Sequence, residues 1–73
     1  MRNVIIKEIK EMVKNAKSYV AFVNAFMSYQ EKLVSSTNYF IVWVDDVDVI
    51  LIGNIRSSKS TELDLAEEIN ALN

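Results

Sequence analysis

Between Tyr39 and Ile52 the chain reads YFIVWVDDVDVILI, two apolar runs held apart by aspartates. Aromatic and β-branched residues of this density suit a pleated, half-buried surface. Asp suits a tight turn, because its side chain bonds its own backbone. The stretch therefore predicts an antiparallel β-hairpin with its turn at Asp45-Asp46. In that register Val44 faces Val47, Val42 faces Val49 and Phe40 faces Leu51, all on one side of the sheet. The other side carries Tyr39, Ile41, Trp43, Asp48, Ile50 and Ile52. A hairpin with one wet face alternates apolar with polar residues. This one is apolar on both faces, so either the chain covers both or a second molecule covers one.

Tyr39, Ile41, Trp43, Ile50 and Ile52 are accordingly the candidate interface residues, with Trp43 as the anchor, since Trp and Tyr are enriched at binding hot spots. The competing role for them is ordinary core. Length sharpens the choice. Seventy-three residues make one small domain, residues 1–73, and 51% of them are hydrophobic. A core of this size supplies about 3–5 kcal/mol alone, and small folds add disulfides, metals or oligomerisation. The chain has neither Cys nor His, which removes disulfides, thiolate chemistry and histidine-based zinc or general-base sites. A homodimer is the expected remedy.

Upstream, Val4–Lys17 has the spacing of an amphipathic helix, with Ile5, Ile9, Met12, Val13 and Ala16 on one stripe and Asn3 as its N-cap. Val20, Val23, Met27 and Val34 continue the stripe in phase. An unbroken helix from Asn3 to Val34 would be about 48 Å long, against a radius of gyration of about 11 Å for a compact chain of this length. The helix must break, at Asn15–Ser18, or lie along a partner. Ser18–Val23 also has strand character, but no turn signal separates it from the helical Ala25–Val34. Ser35-Ser36-Thr37-Asn38 reads as the loop into the hairpin.

Downstream, Gly53 is the only glycine and is expected at a positive φ or a bulge. Ile55–Lys59 reads as a loop or short edge strand. Ser60 or Thr61 is the expected cap of a last helix, with Glu62 and Asp64 near its positive end and Leu65, Ile69 and Leu72 as its apolar stripe. The expected class is α+β in the order α-β-β-α, with a long or broken N-terminal helical region, a central antiparallel hairpin and a short C-terminal helix.

Several polar groupings invite functional readings. Lys7, Lys10, Lys14 and Lys17 share a helical face, the pattern of an anion or nucleic-acid stripe, yet Glu8 and Glu11 flank them and the chain carries a net charge of −2. Asp45, Asp46 and Asp48 have the chemistry of a hard-cation site but the placement of turn residues. Asp64, Glu67 and Glu68 form an acidic face that suits solubility or phosphate mimicry. The serines at 35, 36, 57, 58 and 60 have no histidine to activate them, so no catalytic residue, cofactor or metal is assigned. Met1–Val13 lacks the apolar segment of a signal peptide, and no apolar run reaches the ~18 residues of a membrane span. A cytoplasmic protein is expected. Lys, Asn and Ile are frequent and Pro is absent, a bias typical of AT-rich genomes such as those of low-GC bacteria and their phages. Two functions fit: a non-catalytic protein-interaction module that inhibits or regulates a larger partner, or a dimeric nucleic-acid accessory protein using the lysine stripe.

Overall fold

The computed structural model describes all residues from Met1 to Asn73. Helices α1 (Arg2–Asn15) and α2 (Tyr19–Ser36) lead into strands β1 (Tyr39–Val44), β2 (Val49–Asn54) and β3 (Ser60–Asp64), and a short helix α3 (Ala66–Asn70) closes the chain. The three strands form one antiparallel sheet in the order β1-β2-β3. The class is α+β, with the hairpin where the sequence places it.

The long helical region breaks at Ala16–Ser18. Ala16 and Ser18 are extended, and the Ser18 hydroxyl accepts the Ala21 amide at 3.1 Å, which satisfies one of the free donors of the new helix start. α1 begins at Arg2, so Asn3 lies inside the helix and Met1 holds the cap position. The break lets two helices of about 21 and 27 Å fold back over the sheet, within extents of 35 × 21 × 19 Å.

It also resets the helical phase. On α1 the expected stripe holds, with Ile5, Ile9 and Val13 buried. On α2 the buried residues are Phe22, Phe26 and Leu33, while Val20, Met27 and Val34 are 56–65% exposed. Two phenyl rings and a Leu remove more apolar area from water than Val, Met and Val would, and burial scales with that area. The in-phase continuation read from the sequence therefore gives way to the larger side chains.

The hairpin turn is wider than Asp45-Asp46. Val44 pairs with Val49, Val42 with Leu51 and Phe40 with Gly53, a shift of one pair that leaves Asp45–Asp48 as the turn. Because the shift is by two residues on β2, each side chain keeps the face expected of it. Asp48 leaves the strand and takes a positive φ of 53°, a conformation that Asp tolerates better than most residues.

Ser60–Asp64, expected to start the last helix, is instead the third strand. Thr61 and Leu63 alternate with exposed Ser60, Glu62 and Asp64, the period of a half-buried strand. The Asp64 carboxylate then accepts the Ala66 amide at 3.1 Å at the head of α3. Ser18–Val23, the rival candidate for a third strand, forms the start of α2.

Candidate interaction surface

α1 and α2 lie on one face of the sheet and enclose a core of eleven residues that includes Ile41, Ile50, Ile52, Leu65 and Ile69. Ile41, Ile50 and Ile52 are at most 1% exposed. Trp43 is half-buried under α2, its ring centroid 5.3 Å from Phe22, 5.7 Å from Phe26 and 5.7 Å from Tyr19. Its indole Nε1 donates to the Asp48 carboxylate at 3.2 Å, which gives the buried ring's polar tip a partner. Tyr39 also packs against this core. Of the face that carries Tyr39, Ile41, Trp43, Ile50 and Ile52, the three isoleucines are covered by the chain itself and the two aromatic rings are covered in part. Burial beneath the helices overturns the expected interface role for Ile41, Ile50 and Ile52, while Tyr39 and Trp43 keep part of their surface open beside α2.

The uncovered face is the opposite one. Across it run Phe40, Val42 and Val44 on β1, Gly53, Leu51 and Val49 on β2, and Ser60, Glu62 and Asp64 on β3, by the strand register. Val42 is 42% and Val44 37% exposed, with Phe40, Val49 and Leu51 half-buried. Gly53 has neither a positive φ nor a turn role. It sits in the central strand, and a Cβ there would collide with the Phe40 ring. The glycine makes room for Phe40 to lie across the sheet, an aromatic cover that compensates a strand glycine.

β1 is an edge strand, and unpaired edges invite other strands. Here α2 closes part of it: Gln30 Nε2 donates to the Ile41 carbonyl at 2.9 Å, and the Tyr39 amide donates to the Thr37 hydroxyl at 2.9 Å. Val23, Met27 and Val42 line one shallow groove with Trp43. The outward side of α2 is therefore continuous with the open face across this edge. No sequence period marked that continuity, since it joins residues about twenty apart in the chain.

Lys7, Lys10 and Lys14 lie on one exposed flank of α1 beside Asn3, Ile6 and Glu11, while Lys17 falls in the extended link before α2 and leaves the stripe. Lys10 and Lys14 also border a groove with Asp64 and Glu68, so acidic groups stand beside them. Asp45, Asp46 and Asp48 form no cluster of three acidic groups suited to a metal ion. Ser35 and Ser36 donate to the Lys32 carbonyl at 3.2 and 2.6 Å, and Ser57 accepts the Lys59 amide at 3.1 Å; these are helix-end and turn roles. Glu67 and Glu68 are exposed in the first turn of α3. The Tyr29 hydroxyl is pushed above its usual range by burial and, secondarily, by the nearby Glu8 carboxylate. No helix is long and apolar enough to cross a membrane. Comparison with protein-family models, curated proteins and solved structures finds no match.

Proposed function

We propose that this chain is a non-catalytic protein-interaction module: a homodimeric cytoplasmic regulator or inhibitor of a larger protein, of the size that phages and plasmids encode. One observation carries the reading. The chain leaves apolar surface uncovered on two adjoining sides, Val42 and Val44 on the sheet and Val20, Met27 and Val34 on α2. Exposed apolar patches rimmed by polar residues mark interaction sites. Val20, Met27 and Val34 recur every seven residues, the repeat that packs one helix along another, so the larger partner meets α2 with a helix of its own.

The test is co-purification with tagged wild type and with a Val20→Glu, Met27→Glu double variant. A stoichiometric protein should accompany the wild type and be lost from the variant, whose circular dichroism stays unchanged. Equal recovery by both forms would sink the assignment to α2. A nucleic-acid accessory role has one observation in its favour, the exposed row of Lys7, Lys10 and Lys14, and it requires salt-sensitive retention on DNA. Replacing the three lysines with Gln should abolish such retention if that role is the true one.

A further inference from the structure

The open face is polarised in two directions. Across the strands, the β1 and β2 columns are apolar and the β3 column is Ser60, Glu62 and Asp64. Along the strands, Asp45, Asp46 and Asp64 stand at the end with the β1–β2 turn. Arg56 and Lys59 stand at the other end, in the β2–β3 loop, and they are the only cationic residues after α2. All five are exposed.

We propose that a second copy of the chain covers this face, in a two-fold sandwich whose axis runs across the strands through the Val42–Leu51 row. The proposal rests on the homodimer of the preceding reading and assigns its face and alignment. Two kinds of two-fold axis can set this face against itself. An axis along the strands between β1 and β2 would set those two apolar columns on each other but bring the two acidic turns together, and an axis along β2 would lay β1 of one copy over β3 of the other. Val42 would then meet Glu62, Val44 would meet Asp64, and the two acidic turns would coincide. Apolar surface would be spent on desolvating carboxylates, and like charges would repel. An axis across the strands lays each column over its own equivalent. The apolar columns then meet each other, and Val44 of one copy lies over Phe40 of the other. The acidic turn of each copy comes to the Arg56–Lys59 end of its mate, twice over by symmetry. Glu62, which faces its own equivalent, lies on the exposed rim.

The area fits a modest complex. Strands of six, six and five residues offer a face of about 20 by 14 Å, some ~280 Å² in projection. A standard interface removes about 800 Å² per partner, so even with the turn and loop added this pair belongs to the weak, exchanging class. In so small an interface the charged ends decide the alignment.

The chain has no cysteine, so single-cysteine variants report one position each. Sheets stack about 10 Å apart, too far for a direct disulfide, and a short bismaleimide serves instead. Val42→Cys should link to itself. Val44→Cys should not, but it should link to Phe40→Cys when the two are mixed. Arg56→Glu with Lys59→Glu, and separately Asp45→Lys with Asp46→Lys, should each weaken self-association at least tenfold, and mixing the two forms should restore it. Circular dichroism on every variant confirms that it is folded. If Val44→Cys links to itself as well as Val42→Cys does, the axis is wrong. If the wild type associates but neither Val42→Cys linkage nor charge reversal has an effect, the face is wrong and the homodimer stands. If sedimentation finds only the 8.4 kDa species at every concentration, the homodimer falls too, while the α2 surface for a larger partner keeps its own test.

Discussion

The two faces of the β1–β2 hairpin are made of similar residues and end in different surroundings. Ile41, Trp43, Ile50 and Ile52 lie under the helices, with the isoleucines fully buried, whereas Phe40, Val42, Val44, Val49 and Leu51 face outward. Hydrophobicity does not separate them. Two other features do. The inner face carries the widest side chain, Trp43, which meets Phe22 and Phe26 of α2. The third strand then breaks the tie, because its inward residues are Thr61 and Leu63 while its outward ones include Glu62 and Asp64. Covering the outer face with the chain's own helices would bury the Glu62 carboxylate without a partner, at a cost of several kcal/mol. A face is therefore chosen by the least apolar strand in the sheet, not by the most apolar one.

Truncation on each side breaks the comparison most directly. Trp43→Ala removes the ring that joins Tyr19, Phe22 and Phe26 and orphans its Asp48 partner, and it should cost about 3 kcal/mol or more. Against the ~5 kcal/mol expected of so small a domain, chemical denaturation should find the variant with about 2 kcal/mol or less remaining and a midpoint far below that of the wild type. Val42→Ala, on the same strand but the opposite face, should cost less than about 1 kcal/mol of fold stability and instead weaken self-association. A Val42→Ala protein as unstable as Trp43→Ala would mean that the outer face is core.

A smaller effect is expected at Gly53, where the outer face dips to the backbone. Gly53→Ala should push the Phe40 ring off the sheet at a cost of about 1 kcal/mol, the ring being free to swing toward solvent. In wild type the Gly53 α-proton on the Cβ side lies against that ring and should show an upfield ring-current shift. Phe40→Leu should abolish the shift without unfolding the protein; an ordinary shift in wild type would contradict the cover.

The smallest effect belongs to the helical layer above the inner face. Tyr29 has a folded-state pKa above its usual value, through burial and then Glu8. Its contribution is fully present below the unfolded value of about 10 and is lost as pH rises from there through the folded value, because the unfolded chain ionises first. Tyr29→Phe should leave stability at pH 7 nearly unchanged and reduce the loss seen as pH rises above about 10. An identical alkaline decline in both proteins would show that another group governs it.

Local chemistry in the sequence was sufficient for much of this molecule. The apolar runs around Asp45–Asp48 specify a hairpin, because strand formers split by turn formers leave few alternatives. The parity of side chains along the strands survived a register error, since a shift of two residues preserves faces. The α1 stripe and the break before Tyr19 were also legible, from helical period and from the length limit of a compact chain. What required the tertiary structure was each choice between near-equal options. Val20, Met27 and Val34 have as regular a period as Phe22, Phe26 and Leu33 have bulk, and only the shape of the sheet beneath α2 selects the second set. Ser60–Asp64 has both a helix-cap pattern and a strand alternation, and the free backbone groups of β2 select the strand by pairing with it. Gly53 is legible as exceptional but not as the seat of Phe40, because the ring arrives from a residue thirteen positions away. Local preferences differ among such options by a few tenths of a kcal/mol to about one per residue. Burial of an aromatic ring or pairing of a buried amide is worth more, and those terms exist only once distant segments meet.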